Sequence, residues 1–181
     1  MRAIVIFESL WGNTGQIARA VADGIERTVI VELVNAETAP TQLEGYDLVV
    51  VGGPTHAFSM SRPSTRETAV QTQQAPTVVE RGIREWLDDV SSVFHPIPAA
   101  TFDTKVDSPR LPGSAAKAAR SELRARGFDV AMPSQTFRVH GYGGPLVDGE
   151  LARAEVWGAT LGSTLRPTVP DERRDGEATR S

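Results

Sequence analysis

The chain of 181 residues has the length of one domain, and 40% of its residues are hydrophobic, enough to form a core. The net charge of −4 argues against a nucleic-acid partner, and the lack of cysteine excludes disulfides, thiol catalysis and cysteine-ligated metals. No apolar run reaches the ~18 residues of a membrane span, and no signal-peptide pattern is present, so we expect a cytoplasmic protein without a membrane partner.

Short apolar runs alternate with helical patterns, which predicts a mostly parallel sheet covered by helices on both faces. The strands are predicted at residues 2–7, 29–34, 46–51, 97–102 and 136–139. The helices are predicted at residues 14–27, around 79–90, at 113–126 and at 148–165, the last capped by Asp148. These elements fit a three-layer α/β/α domain over residues 1–165, with a five-stranded parallel sheet in the order 2-1-3-4-5. Residues 166–181 combine four Arg with four Asp or Glu and no aromatic residue, which predicts a disordered tail.

The loop between the first strand and the first helix, Ser9-Leu10-Trp11-Gly12-Asn13-Thr14, has the composition of a phosphate-binding turn. Backbone N–H groups and the positive end of a helix meet there, and the hydroxyl and amide side chains add hydrogen-bond donors. The loop contains no lysine, and the triphosphate-binding signature is absent. We therefore expect a monophosphate retained as part of a cofactor.

This stretch resembles the first loop of the flavodoxin family. The family pattern is met by residues on the strand, in the loop and on the helix, namely Val5, Ile6, Phe7, Ser9, Gly12, Thr14, Ala18 and Val21. Trp11 stands where flavodoxins usually carry a second Thr, and an aromatic residue there looks more like the flavodoxin-type domain of flavodiiron proteins. The resemblance implies non-covalently bound FMN, with Trp11 either contacting it or packed on the surface.

Two further loops are expected to contact the flavin, because the carboxyl ends of parallel strands meet at one edge of the sheet. After the third strand, the resemblance implies contacts from Pro54, Thr55, His56, Ala57 and Phe58, with His56 and Phe58 as stacking candidates. After the fourth strand it implies contacts from Thr101, Phe102, Asp103, Gly113 and Ser114. His95 and His140 are expected to be loop residues, and no metal site is predicted because the three histidines are far apart in sequence.

The resemblance implies electron transfer through FMN to a redox partner protein or a small-molecule acceptor. Near the loops, four cations (Arg62, Arg66, Lys105, Arg110) face four anions (Glu8, Glu67, Asp103, Asp107), which predicts a reduction potential less negative than that of acidic flavodoxins. One alternative is an FMN-dependent NAD(P)H:quinone-type oxidoreductase, with the polar segment 62–77 as a lid and Arg62 or Arg66 holding a phosphate. Another is a cofactor-free flavodoxin-like scaffold.

Overall fold

The computed structural model describes residues 1–165, and the predicted tail at 166–181 lies outside the described residues. In chain order the elements are β1 (Arg2–Phe7), α1 (Asn13–Glu26), β2 (Ile30–Asn35), β3 (Leu48–His56), β4 (Ser59–Met60), α2 (Pro63–Gln73), α3 (Ile83–Asp89), β5 (Ala99–Val106), α4 (Ala115–Ala125), β6 (Gln135–Val139) and α5 (Glu150–Thr164).

Five strands form a parallel sheet in the order β2-β1-β3-β5-β6, and the two-residue β4 pairs antiparallel with the end of β3. With β4 set aside, this is the predicted order 2-1-3-4-5, so the predicted fold class is confirmed. The order reverses between β1 and β3, because the chain runs outward from β1 to β2 and then returns to the other side of β1. The loops after β1 and β3 therefore diverge at the carboxyl edge and leave a crevice.

Two apolar layers hold the helices against the sheet. On one face, α1 and α5 bury Ile17, Val21 and Trp157 with Phe102 of β5. On the other face, α3 and α4 bury side chains such as Trp86 against β1 and β3. The backbones of α1 and α5 approach closely, because a β-carbon on Gly158 would lie 2.1 Å from the carbonyl oxygen of Val21.

The strand β5 continues to Val106, whereas the sequence predicts that it ends at Phe102. The prediction was wrong because it treated the polar pair Asp103 and Thr104 as loop residues. Both side chains are buried inside the strand, where hydrogen bonds to neighbouring elements hold the Thr104 hydroxyl and the Oδ2 atom of Asp103. The carboxyl end of β5 therefore lies at Val106, four residues beyond the predicted end.

The polar segment after β4 contains the helix α2, which the sequence does not predict. Pro63 occupies its first turn, and only Arg66 and Ala69 are buried, so no apolar stripe marks it in the sequence. The predicted cap of the last helix also differs. Gly149, with φ of 85°, precedes α5, and no side chain caps that helix.

Candidate functional site

The loop between β1 and α1 ends in a helix terminus without a side-chain cap. Gly12 precedes α1 with φ of 89° and has no side chain that could cap the first N–H groups of the helix. The Ser9 hydroxyl accepts a hydrogen bond from the Gly15 N–H at 3.2 Å, which leaves its own proton to donate. This terminus can therefore bind an anion.

A cleft of about 490 Å³ opens beside this loop at the carboxyl edge of the sheet. Nine of the predicted site residues line it: Leu10, Trp11, Asn13, Thr14, Pro54, Thr55, His56, Ala57 and Phe58. Ser9 and Gly12 lie in the same loop without lining the cleft. The loops after β1 and β3 thus meet at one site.

The residues predicted to contact the ligand from the fourth-strand loop do not line the cleft. Thr101, Phe102 and Asp103 are buried within β5 because the strand is longer than predicted. Ser114 caps α4 by accepting a hydrogen bond from the Lys117 N–H, and Gly113 precedes it. Their place at the cleft edge is taken by residues at the true end of the strand, Thr104, Lys105 and Val106, and by Ser108, Pro109, Leu111 and Pro112 of the following loop.

Two aromatic rings lie against the Trp11 ring, that of His56 at the end of β3 and that of Tyr142. The Trp11 ring centroid lies 5.8 Å from that of His56, with planes tilted by 43°. The Tyr142 ring also packs on Trp11, at a centroid distance of 6.3 Å and an interplanar angle of 26°. Tyr142 belongs to the loop after β6 and is not among the residues that the sequence predicts at the site.

The turn between β3 and β4 has a backbone that side chains rarely adopt. Ala57 and Phe58 have φ of 44° and 74°, both in the left-handed region that favours glycine. A β-carbon on Gly113 would lie 2.0 Å from the Phe58 carbonyl oxygen, so the turn rests directly on the backbone that precedes α4. Such strain persists only where surrounding structure enforces it, and it is concentrated at functional sites.

Asp103 ties this turn to α4. Its Oδ2 accepts hydrogen bonds from the Thr55 hydroxyl at 2.9 Å, the Ser114 hydroxyl at 2.6 Å and the Ala116 N–H at 3.1 Å. Its Oδ1 is buried without a partner among the described residues. Asp103 therefore connects Thr55, which lines the cleft, to the start of α4.

The only charged side chain among those lining the cleft is Lys105, apart from the titratable His56. Its ammonium donates to the carbonyl oxygens of Leu111 at 2.5 Å and Gly113 at 2.7 Å. Burial, and then the charge of Arg66, lower the pKa of His56 below 6.5, so its imidazole is neutral at pH 7. The cleft wall is therefore nearly uncharged.

A buried polar network begins at Glu8, the residue immediately before the loop at residues 9–14. The Glu8 carboxylate accepts hydrogen bonds from the Ser61 hydroxyl at 2.5 Å and the Ile83 N–H at 2.9 Å. Arg66 donates to Ser61 and pairs with Glu85 at 3.1 Å. Burial raises the pKa of Glu8, against the opposing effects of these hydrogen bonds and of Arg66. The network joins the residues that follow β1 and β4 to the helices α2 and α3.

The α2 helix supplies cleft residues that sequence reasoning missed. Thr65, Thr68 and Gln73 line the cleft from this side. The signal that could have indicated the helix is Pro63 at its first position, after Arg62 in extended conformation. His95 and His140 are exposed, and within residues 1–165 no group of three His, Cys, Asp or Glu could hold a metal ion. Across the same range, no helix is long and apolar enough to cross a membrane.

No protein-family model matches the sequence, and no curated protein matches it. Among solved structures, a flavodoxin from Archaea is 20% identical and aligns over 91% of this chain and 98% of its own, with a TM-score of 0.63. Flavodoxin 1 from Bacillus cereus is 19% identical over 92% of this chain and all of its own, with a TM-score of 0.64. This chain has the flavodoxin fold.

The flavodoxin fold also occurs within larger proteins that resemble this chain. The Flv1 flavodiiron core from Synechocystis is 20% identical, with a TM-score of 0.59, over 91% of this chain and 36% of its own length. The predicted flavodoxin-like resemblance is thus confirmed for the fold.

Proposed function

We propose that the cleft binds FMN non-covalently and that the protein transfers electrons through it. The observation that carries this proposal is the uncapped N-terminus of α1 beside an aromatic, nearly uncharged cleft in a flavodoxin fold. A phosphorylated molecule with a flat ring system needs both features within one site.

The phosphate end of FMN fits the loop at residues 9–14. The Ser9 hydroxyl retains a proton to donate, and nothing lies within 4 Å of the position where Gly12 would carry a β-carbon. Thr14 shares a hydrogen bond of 2.7 Å with Thr104, which fixes its hydroxyl at the start of the helix. These neutral groups would hold the phosphate without a lysine.

The ring end of FMN fits the cleft between the β3–β4 turn and the loop after β5. Trp11, His56 and Phe58 offer aromatic faces, and the strained turn offers backbone groups for the polar edge of the ring. The flavin supplies the redox chemistry when bound. The protein residues hold its phosphate, cover its ring and exclude water.

The charges of the site favour an electron carrier over an NAD(P)H-dependent enzyme. Arginine and lysine side chains are common partners for the phosphates of a nicotinamide dinucleotide. Arg66, one candidate for that role, is buried and bonded to Ser61, Glu85 and the backbone of Val79, while Lys105 is bound to backbone carbonyls. Of the two arginines suggested by the sequence, exposed Arg62 alone remains able to meet such a ligand.

Burial also changes the charge balance on which the predicted potential depends. Arg66, Glu8 and Asp103 are buried, and the five groups of the original eight that are not buried are three cations and two anions. The balance stays close to even, so a moderate potential remains a prediction. A redox titration that gave a strongly negative hydroquinone couple would contradict it.

The absorption spectrum of the purified protein tests FMN binding first. We expect a flavin spectrum, or its appearance when FMN is added to colourless protein. Calorimetry should show FMN binding more tightly than riboflavin, because riboflavin lacks the phosphate that the loop binds. If neither flavin gives heat or a spectral change, the cofactor-free scaffold replaces this proposal.

Anaerobic mixing of the FMN-loaded protein with NADH or NADPH separates the carrier from the enzyme. We expect no rapid bleaching, because Lys105, the charged side chain that lines the cleft, is held by backbone carbonyls and Arg66 is buried. Rapid bleaching would establish the NAD(P)H:quinone-type alternative instead. The redox partner protein or small-molecule acceptor, and the cytoplasmic location, stay predictions from the sequence.

A further inference from the structure

The loop after β6 places an aromatic ring against the loop at residues 9–14. Tyr142 is 62% exposed, yet its ring stacks on Trp11 across two loops that are far apart in sequence. The neighbouring Gly144 presses on Asn13, since a β-carbon there would lie 2.5 Å from the Asn13 amide oxygen. The loop is therefore part of the cleft wall.

The loop is held at its base by backbone hydrogen bonds, and its tip is rich in glycine. The His140 N–H donates to the Pro145 carbonyl at 2.8 Å, and the Val147 N–H donates to the Arg138 carbonyl at 2.9 Å. Between these bonds, Tyr142 has glycine on both sides, and Gly141 has φ of 61° with open space around it. The tip can turn without breaking the bonds at the base.

The stacked pair leaves no room for a third ring. A flat ring inserted between two others needs about 7 Å between them, twice the optimal carbon–carbon separation. The centroids of Trp11 and Tyr142 are 6.3 Å apart, so a ligand ring can use this face of Trp11 only after one ring moves. Trp11 is partly buried and His56 lies on it as well, whereas Tyr142 sits exposed on the glycine tip.

We propose that Tyr142 is a movable aromatic cover of the cleft. It leaves Trp11 to admit the flat part of the ligand and then stacks on the bound ligand, which slows its release. This inference rests on the proposed binding of FMN. It assigns to the loop after β6 a role that the sequence pattern does not indicate.

Two variants test the cover, since Tyr142→Ala removes the ring and Tyr142→Phe keeps it. Phe58→Ala, which removes another exposed ring of the cleft, is the control for the measurement without ligand described below. An aromatic pair contributes enough for up to a tenfold change in a rate constant. We expect Tyr142→Ala to release FMN about tenfold faster than the wild type, measured by stopped-flow fluorescence after dilution into excess competitor. Tyr142→Phe should release FMN at nearly the wild-type rate.

A measurement without ligand checks the same ring. Trp86 and Trp157 are buried, so acrylamide quenching of tryptophan emission reports mainly on Trp11. Quenching should increase in Tyr142→Ala and stay unchanged in Tyr142→Phe and Phe58→Ala.

The outcomes separate this inference from the proposed function. If the wild type binds FMN and Tyr142→Ala releases it at the wild-type rate, the cover is overturned and FMN binding stands. If Tyr142→Phe releases FMN as fast as Tyr142→Ala, the hydroxyl rather than the ring is responsible, and the cover is again overturned. If the wild type does not bind FMN, both proposals fail.

Discussion

At the scale of single residues, Gly12 and Gly149 form a natural matched pair. Each precedes a helix with a left-handed backbone, at φ of 89° and 85°, and each would find open space around an added β-carbon. Alanine at either position should lower the free energy of unfolding by about 1 kcal/mol, because the left-handed region disfavours a side chain. Urea unfolding measures both changes.

The two glycines should differ in ligand binding. Gly12→Ala changes the loop where the phosphate of FMN is proposed to bind, so we expect its FMN affinity to fall by about tenfold or more, the loss of roughly one hydrogen bond to a charged group. Gly149→Ala lies at the start of α5 and should bind FMN like the wild type. Equal affinities in both variants would argue against the loop as the phosphate site.

His56 gives a prediction that depends on pH. Burial, followed by the charge of Arg66, lowers its folded pKa below the unfolded value of 6.5. Its contribution to stability is therefore present above pH 6.5 and is lost as the pH falls through the folded pKa. NMR titration should give a pKa below 6.5, and the stability difference between wild type and His56→Gln should shrink as the pH falls below 6.5. A pKa above 6.5 would contradict the buried, neutral imidazole.

Residues next to strong local signals could be placed from the sequence. Thr14 follows a buried strand and opens an apolar-faced helix, so its position at the cleft is fixed by local structure. Tyr142 has no such signal, because its position depends on how Gly144 packs on Asn13, more than 100 residues earlier in the chain. Contacts of this kind are set by tertiary packing.

At the scale of elements, Gly113 couples the β3–β4 turn to α4. Alanine there would place a β-carbon 2.0 Å from the Phe58 carbonyl oxygen, at φ of 80°. We expect Gly113→Ala to lower the unfolding free energy by more than about 2 kcal/mol and to weaken FMN binding, because the turn must shift. Chemical denaturation and FMN titration measure the two effects.

Gly45→Ala is the control for the backbone alone. Gly45 also has a positive φ, of 97°, but open space surrounds it. It should lose only about 1 kcal/mol and keep its FMN affinity. If Gly113→Ala behaves like Gly45→Ala, then the turn does not rest on this backbone as the structure indicates.

Elements with apolar periodicity were predictable, and those held by polar contacts were not. The strand β1 agrees with its prediction at both ends, and α1 differs from its prediction by one residue at each end. Both were predictable because apolar residues form their buried faces. The helix α2 and the last four residues of β5 depend instead on Arg66, Asp103 and Thr104, whose partners lie on other elements. Such partners follow only from the complete fold.

At the scale of the whole molecule, Glu8 belongs to the buried polar network with Ser61 and α3 and makes global stability sensitive to pH. Burial raises its folded pKa above the reference value of 4.5, so the native state binds more protons than the unfolded state between these two pKa values. Its contribution is therefore complete below pH 4.5 and is lost as the pH rises through the folded pKa.

The strand order of the sheet was predictable, because five strands that alternate with helices fit the doubly wound order 2-1-3-4-5.

Glu8→Gln tests this contribution, because glutamine does not ionise. Its unfolding free energy, measured by urea denaturation between pH 4 and 8, should lack the decline that Glu8 gives the wild type. The advantage of the wild type over the variant should thus decrease as the pH rises. An advantage that grew with pH would show that Glu8 is stabilised as a carboxylate by Arg66 and Ser61.

The weak apolar anchoring of α2 has a consequence for native-state fluctuations. Only Arg66 and Ala69 of its eleven residues are buried, whereas α4 buries Ala115, Ala116, Ala119 and Leu123. Backbone amides of α2 should therefore exchange with deuterium sooner than those of α4, through local opening that leaves the sheet intact. Because Thr65 and Thr68 form one wall of the cleft, such breathing would widen the entrance at a fraction of the free energy of global unfolding.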